Sequence, residues 1–404
     1  MGQSTSHDIL LGMTKRSTLP MLSALTFLSF LDTPLLIPIM ALFATQLNAN
    51  VGMVGFIIGI HAAVGTPASI YFGRIVDRFS YKVPLILGLI GDTIGLFLYT
   101  VCRTPEQLLM VRMLHGVSSA VAGPATMSAM AAYARTSKGK VMAFYGISIA
   151  MANLVGQGTS GIIGSKLGYN SVFLIGAGLM AVATIIAFFL PGSTGQEHGK
   201  KSVSLGENTM RIIKLIGRKG LTMSYTTIFA QYFAFGAMAT LLPLYVKGFN
   251  MTAFHVGMLL AVFTLFFIII QMPSGHISDR VGRVVPTIIG LSLAIIALVV
   301  LPSFNTFALL AIPMAVYGLA YGLFFPSVSA SVADHALPEE RGMATGIFYA
   351  ALTAGVAIGA PVMGWIGQAF GVRSALMLTP VFMVPAIIIA AASLKKTKAV
   401  QSTH

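Results

Sequence analysis

Gly73-Arg74-Ile75-Val76-Asp77-Arg78, closed by Lys82, Pro84 and Gly88, decides how this chain is read, because the chain contains it twice. The second copy is Gly275-His276-Ile277-Ser278-Asp279-Arg280, closed by Arg283, Pro286 and Gly290. The first glycine, the Asp-Arg pair, the proline and the last glycine recur at one offset: 275 − 73, 279 − 77, 286 − 84 and 290 − 88 are each 202, half of 404 residues. Self-similarity at half length marks two copies of one structural unit. The repeat runs on. Gly116 and Pro124 match Gly318 and Pro326 at 202; after one inserted residue Gly139, Gly156, Gly161, Gly164 and Gly168 match Gly342, Gly359, Gly364, Gly367 and Gly371 at 203.

The solvent for such a unit is lipid. Hydrophobic residues make up 56% of the chain and charged residues 9%, against about 25% charge in a soluble domain, and the mean hydropathy is +0.86. A hydrocarbon core about 30 Å thick needs roughly 20 apolar residues per helix. Twelve runs meet that length, at 18–46, 51–73, 82–102, 106–134, 139–165, 170–191, 220–246, 253–276, 284–302, 306–334, 341–368 and 373–394. Glycine and proline inside them are compatible with packed membrane helices. The expected fold is therefore an all-α membrane protein of twelve transmembrane helices. Residues 1–191 form one six-helix half and 220–404 the other, with 192–219 as the linker. Parallel halves related by an axis along the membrane normal place a substrate between them near the midplane. The first run follows Lys15 and Arg16, exceeds a signal core and lacks a small-residue cleavage pattern, so it is expected to stay as a span.

The net charge of +14 follows topology. Of 25 lysines and arginines, Arg103, Lys166, Lys247 and Arg373 lie between or at the ends of runs on one side and Arg112 lies inside a run; the other 25 − 4 − 1 = 20 lie on the side of the two termini. That asymmetry predicts cytoplasmic termini in a plasma membrane (the inner membrane of a Gram-negative cell). It argues against a nucleic-acid footprint. Cys102 is the single cysteine, which excludes an internal disulfide or a cysteine-built metal cluster. Leu205 to Arg218 reads as a basic amphipathic helix, expected to lie on an anionic membrane surface, with a regulatory partner site as the alternative.

With these residues in view, the chain resembles the major facilitator superfamily over essentially its whole length. Gly73-x3-Asp77-Arg78 and Gly275-x3-Asp279-Arg280-x-Gly282-Arg283 are similar to that family's paired loop signature. Arg112-x2-His115-Gly116-x3-Ala120 resembles the fourth-helix signature of its proton-coupled members. The ladder Gly156 to Gly164 sits where the drug:proton antiporter branch carries its fifth-helix signature, with Gly158 standing opposite Pro361 of the other half. The resemblance implies secondary active transport by alternating access, protons and a small-molecule substrate as partners, a monomer, no cofactor and no metal. Gly73, Asp77, Arg78, Gly275, Asp279, Arg280 and Arg283 would be a conformational latch. In it the two carboxylates reach positive helix N-termini of the other half only when the halves meet at the cytoplasmic side. Gly156, Gly161, Gly359, Pro361 and Gly364 would be packing positions of helices 5 and 11.

Two acids lie deep in the spans, Asp32 and Asp92, and charge at membrane depth usually faces a cavity or a partner. Asp32 is expected near the midplane as the proton site with Arg112 as its modulator, because burial raises a carboxyl pKa and a nearby guanidinium lowers it; the competing reading is a static pair. Asp92 is a second titrating candidate. The resemblance implies that the runs carrying His61, His115, Asn153, Gln157, Gln231, Tyr317 and Tyr321 line the cavity, which makes these polar residues candidate substrate contacts, with interhelical hydrogen bonding as the alternative. No nucleotide loop, zinc spacing or Ser-His-Asp pattern argues for an enzyme. Proton-coupled export of a small apolar or amphipathic compound is the preferred function. Uptake of an organic anion by symport or uniport, and a non-transporting receptor or assembly protein, stand as rivals.

Overall fold

Helices account for nearly all of the structure, a computed structural model that describes residues 19–78, 80–133, 138–190 and 205–401. α1 (Leu19–Gln46), α2 (Val51–Arg78), α3 (Lys82–Tyr99), α4 (Pro105–Ser119 and Ala122–Tyr133), α5 (Lys138–Leu167) and α6 (Tyr169–Phe188) pack together. α7 (Leu205–Ile216) is short. α8 (Lys219–Lys247), α9 (Ala253–Val281), α10 (Val284–Val300), α11 (Phe307–His335), α12 (Arg341–Phe370) and α13 (Val372–Gln401) form the second group. Among the described residues, eleven of these are apolar and long enough to cross a membrane. The twelfth span, expected as one helix over 106–134, is instead α4 in two parts.

Proline explains the interruptions. A proline lacks the N–H that would bond the carbonyl four residues back, and its ring crowds that carbonyl. Pro124 thus breaks α4 at Ala120-Val121, and Pro34 breaks α1 at Phe30-Leu31. Pro380 opens, and Pro385 closely follows, a short 3₁₀ turn over Thr379–Met383 inside α13. Pro326, the repeat partner of Pro124, leaves α11 continuous.

The repeat is visible in the turns. Asn48 (φ 65°) and Asn250 (φ 59°) follow α1 and α8 in the left-handed conformation that asparagine tolerates at a helix end, and 250 − 48 is again 202. Gly168 (φ 82°) and Gly371 (φ 87°) join α5 to α6 and α12 to α13, where a β-carbon would be strained. Lys82 closes a different gap: its Nζ donates to the carbonyls of Phe188 (2.8 Å) and Leu190 (2.6 Å), the open end of α6.

Two ends can be distinguished. The basic end carries Arg74, Lys82, Arg280, Arg283 and Arg341; the far end carries the turns at Asn48, Arg103, Gly168, Asn250 and Gly371. α2 and α9 run past the ends of the apolar runs, 73 and 276, to Arg78 and Val281. Glycine is tolerated inside packed membrane helices, and it is Gly282 (φ 85°) that ends α9.

α7 is tied to the second group. Leu215 is buried, and the Arg218 guanidinium donates to the Glu340 carboxylate (2.8 Å) and to the His335 carbonyl (2.9 Å). That bond, with Lys214 also nearby, holds the Glu340 carboxyl below its usual range. A depressed carboxyl stabilises the folded arrangement at neutral pH, and the contribution fades as the pH falls through the acid range. A spin label at position 213 is expected to gain mobility on acidification in the wild type. In Glu340→Gln it should be mobile at every pH; a pH response that survives in Glu340→Gln would assign the effect elsewhere.

Candidate functional site

The deep acids meet at one histidine. Asp32 opens the second segment of α1, just past the break made by Pro34, so its carboxylate sits at a helix N-terminus, where negative charge is favoured. Asp92 lies on α3 and His115 on the first part of α4. His115 Nε2 is 3.1 Å from Asp32 Oδ2 and 3.8 Å from Asp92 Oδ1, and the three side chains are nearly inaccessible, at 0–3%. All three ligand atoms lie within 4.8 Å of one another, a spacing that would also suit one small cation.

Neighbours fix the histidine and the second acid. The Tyr99 hydroxyl is 3.0 Å from His115 Nδ1, which orients the ring so that Nε2 faces the acids. Ser118 donates to Asp92 Oδ1 at 2.6 Å. The remaining oxygens Asp32 Oδ2 and Asp92 Oδ2, together with His115 Nε2, lack an aligned hydrogen bond among the described residues. The Asp32–His115 contact is thus at ion-pair distance without hydrogen-bond alignment. Buried charges cost several kcal/mol each unless paired and hydrogen-bonded. Gly95 makes room: a β-carbon there would lie 3.3 Å from that of His115.

Arg112 does not pair with Asp32 among the described residues. Its Nε donates to the Ile57 carbonyl of α2 (3.2 Å), its Nη1 lacks a hydrogen-bond partner, and the residue is 5% exposed. The partner expected to be Arg112 is His115. His61 of α2 belongs to the same assembly, with its ring 5.3 Å from that of His115 and its Nε2 3.1 Å from Ser119 Oγ.

The other candidates fall into two places. Gln157 of α5 accepts from Thr264 of α9 at 2.7 Å, a buried bond between the two helix groups. Asn153, one turn earlier, is half-buried and bonds its own helix at the Ile149 carbonyl. In the second group Tyr321 is 2.9 Å from the Tyr232 hydroxyl and stacks on Phe267 (4.6 Å between centroids, 15° between planes). Phe263, Tyr317 and Phe325 extend this aromatic set, and the Tyr317 hydroxyl sits against Gln231 without an aligned bond. The phenylalanines were not singled out in the sequence, although Phe263, Phe267 and Ile270 share one face at helical spacing. Tyr99 and Ser118 were also missed, although Asp92, Gly95 and Tyr99 follow an i, i+3, i+7 stripe.

The helix groups touch at the far end and part at the basic end. A β-carbon on Gly161 of α5 would lie 2.6 Å from the Ala253 carbonyl of α9, and one on Gly257 2.5 Å from the Gln157 carbonyl. A β-carbon on Gly364 of α12 would lie 2.9 Å from Gly55 Cα of α2, and one on Gly59 2.7 Å from the Pro361 ring. Gly359 packs on Phe233 and Gly156 on Pro34 within their own groups. Cross-group bonds join Gly52 N–H to Gln368 (3.0 Å) and Lys247 to Thr45 (3.2 Å), and Trp365 meets Phe56 edge-on at 6.3 Å. At the basic end of α5 and α12, Gly146, Gly342 and Gly346 have open space around them. The second latch stays within its own group: Arg283 bonds Asp279 (2.5 Å) and Asp334 (2.9 Å), and a β-carbon on Gly275 would meet nothing within 4 Å. The side chains of Asp77 and Arg78 lie outside the described residues, and Arg280 is exposed.

Comparison with known proteins agrees with this architecture. Residues 22–260 and 225–404 match the family model described as Major Facilitator Superfamily. An uncharacterised MFS-type transporter of Methanocaldococcus jannaschii is 23% identical over 362 residues, covering 89% of this chain and 93% of that protein. The multidrug resistance protein MdtG of Salmonella arizonae is 24% identical over 314 residues, covering 75% and 76%. The crystal structure of the nucleoside transporter NupG superposes with a TM-score of 0.80 at 16% identity, over 94% of this chain and 99% of that one, a likeness of fold.

Proposed function

The chain belongs to the major facilitator superfamily, and from that premise we propose that it is a proton-coupled exporter of small aromatic or amphipathic compounds. The observation that carries the reading is the buried cluster of Asp32, His115 and Asp92: two carboxylates and an imidazole within reach of one proton, enclosed by α1, α3 and α4. Taking the basic end as cytoplasmic, the structure corresponds to a carrier closed outside and open inside. In that state a proton held at Asp32 is shared with His115 and released inward. The aromatic set around Tyr232, Tyr321 and Phe267 offers π-faces to a planar substrate, and the half-buried Asn153 is a polar contact on the opposite wall. Export is favoured by the similarity to a multidrug resistance protein. Uptake of an organic anion would call for a cation in the cavity, and Arg112 is turned to the backbone of α2.

Reconstituted protein in vesicles with an imposed pH gradient tests the reading. A panel of planar aromatic amines and neutral dyes should be moved against their gradient as protons run the other way, with counterflow persisting when the gradient is collapsed. Transport indifferent to the pH gradient would leave a carrier without proton coupling.

The latch follows from the same cycle. Asp279 is 68% exposed and pairs with Arg283 at the surface, a bond worth little to stability, so it is free to exchange to a helix terminus of the other half when the basic end closes. Asp279→Asn should lower the population of the basic-end-closed state and raise labelling of a cysteine at Gly346 from the cytoplasmic side. Asp77→Asn should act in the same direction. Unchanged labelling at normal expression would assign both acids to solvated turns.

A further inference from the structure

Three helices bring metal-ligating atoms to one point. Asp32 of α1, Asp92 of α3 and His115 of α4 each offer one such atom, all within 4.8 Å of one another. His115 Nε2 is 3.1 Å from Asp32 Oδ2 and 3.8 Å from Asp92 Oδ1. Zinc binds imidazole nitrogen and carboxylate oxygen at about 2.0–2.1 Å in a tetrahedron, whose corners then stand about 3.3 Å apart. The two spacings fall on either side of that value. Asp32 Oδ2, Asp92 Oδ2 and His115 Nε2 are buried without a hydrogen bond among the described residues. The Tyr99 hydroxyl stands 3.0 Å from His115 Nδ1. With the ring proton on Nδ1, that bond leaves the Nε2 lone pair facing the acids, the way an outer partner orients a metal-binding histidine. Ser118 holds Asp92 Oδ1 at 2.6 Å. Arg112, the charged neighbour, acts on the Tyr99 hydroxyl on the Nδ1 side of the ring and donates to the Ile57 carbonyl. His61 keeps its Nε2 on Ser119 Oγ (3.1 Å) and stays outside the set. His61, Ser118 and Ser119 are partly exposed near the break in α4 and offer an ion a polar approach.

We propose that Asp32, Asp92 and His115 form a site for one divalent transition-metal ion of the zinc type, with a fourth position left open. Donor chemistry selects the ion. Imidazole suits zinc and its neighbours, whereas magnesium and calcium take oxygen ligands and more of them. The two carboxylates match the charge of a divalent ion. On the proton reading above, an ion here occupies oxygens that the proton needs, so the loaded carrier stalls. That consequence rests on the proton reading; the site itself rests on geometry and donor type.

Cobalt(II) is the probe, because a four-coordinate cobalt ion absorbs visible light strongly and a six-coordinate one at an exposed histidine does not. The full chain in detergent, and a second preparation with Cys102→Ser, is titrated with cobalt chloride and then with zinc chloride. A single equivalent of cobalt should develop the four-coordinate spectrum in both preparations, and zinc should bleach it. Asp32→Asn and His115→Gln should abolish that spectrum. Tyr99→Phe leaves all three ligands in place and frees the ring, so it should weaken binding about tenfold while the spectrum keeps its shape. This variant keeps the test decisive where a ligand substitution fails to fold. A six-coordinate spectrum alone would overturn the proposal by assigning the metal to exposed groups such as His276. So would a four-coordinate spectrum that survives His115→Gln, or unchanged affinity in Tyr99→Phe. Inhibition is read separately in vesicles: transport that continues with zinc bound at the cluster would leave the site standing and refute the proton reading instead.

Discussion

Replacing Asp32 by asparagine is expected to abolish uphill transport while sparing substrate exchange. One proton moving down 100 mV supplies roughly 2.3 kcal/mol, which at about 1.36 kcal/mol per decade sustains an approximately fifty-fold substrate gradient. The amide keeps the size of the side chain and its place at the helix N-terminus, but it cannot take up and release that proton. The gradient should fall from about fifty-fold to none, with counterflow in equal pH retained. His115→Gln should reproduce the loss, since His115 Nε2 is the group that reaches both acids. Asp92→Asn should leave part of the gradient, because Ser118 already satisfies one of its oxygens. Intact accumulation in Asp32→Asn vesicles would remove the proton role of this cluster. Loss of folded protein in Asp32→Asn and His115→Gln alike would identify a static pair.

An equally large effect is expected from Gly257→Leu. The β-carbon alone would lie 2.5 Å from the Gln157 carbonyl and 2.9 Å from Gly161 Cα, and both of those are backbone atoms that cannot rotate away. Overpacking of this kind costs about 3 kcal/mol at the upper end of the usual range, a shift of roughly a hundredfold in population. The far end should no longer close. Spin labels at Asn48 and Phe249, in far-end turns of opposite helix groups, should separate, and transport should fall by a similar factor. Gly346→Leu is the contrasting case: with open space around it, it should leave this state intact and obstruct closure of the basic end. Short label distances and normal transport in Gly257→Leu would mean that the α5–α9 seam is not a gate.

The architecture was legible in the residues because lipid enforces it. Long apolar runs, a charge asymmetry and one repeat offset leave little choice when every backbone group must be satisfied internally. Helix interruptions were less legible. Pro34, Pro124 and Pro326 look alike as sequence, yet the first two break their helices and Pro326 does not, and only packing separates these outcomes. The site was legible in its members and not in its pairings. Asp32, Asp92, Arg112, His61 and His115 all stood out as polar groups at depth, but rotation about helix axes decides which of them meet. The sequence coupled Asp32 to Arg112; the structure turns Arg112 to α2 and gives Asp32 to His115, with Tyr99 behind the ring. The latch was legible as a motif and not as a contact, since Asp279 has different neighbours at different points of a transport cycle and this state records one set.

The seam at the far end also contains the chain's single tryptophan. Trp365 is 64% exposed, edge-on to Phe56, and a β-carbon on Gly52 would lie 3.2 Å from its ring. Both neighbours belong to α2, the helix it must leave when the far end opens. The emission of this one indole therefore reports the far-end seam directly: opening exchanges an aromatic edge and a helix backbone for water or lipid around the ring, without any attached dye. Stopped-flow fluorescence of the unmodified protein then times the conformational half of the cycle separately from substrate movement. Phe56→Ala, which removes the aromatic edge, supplies the reference spectrum for the separated state.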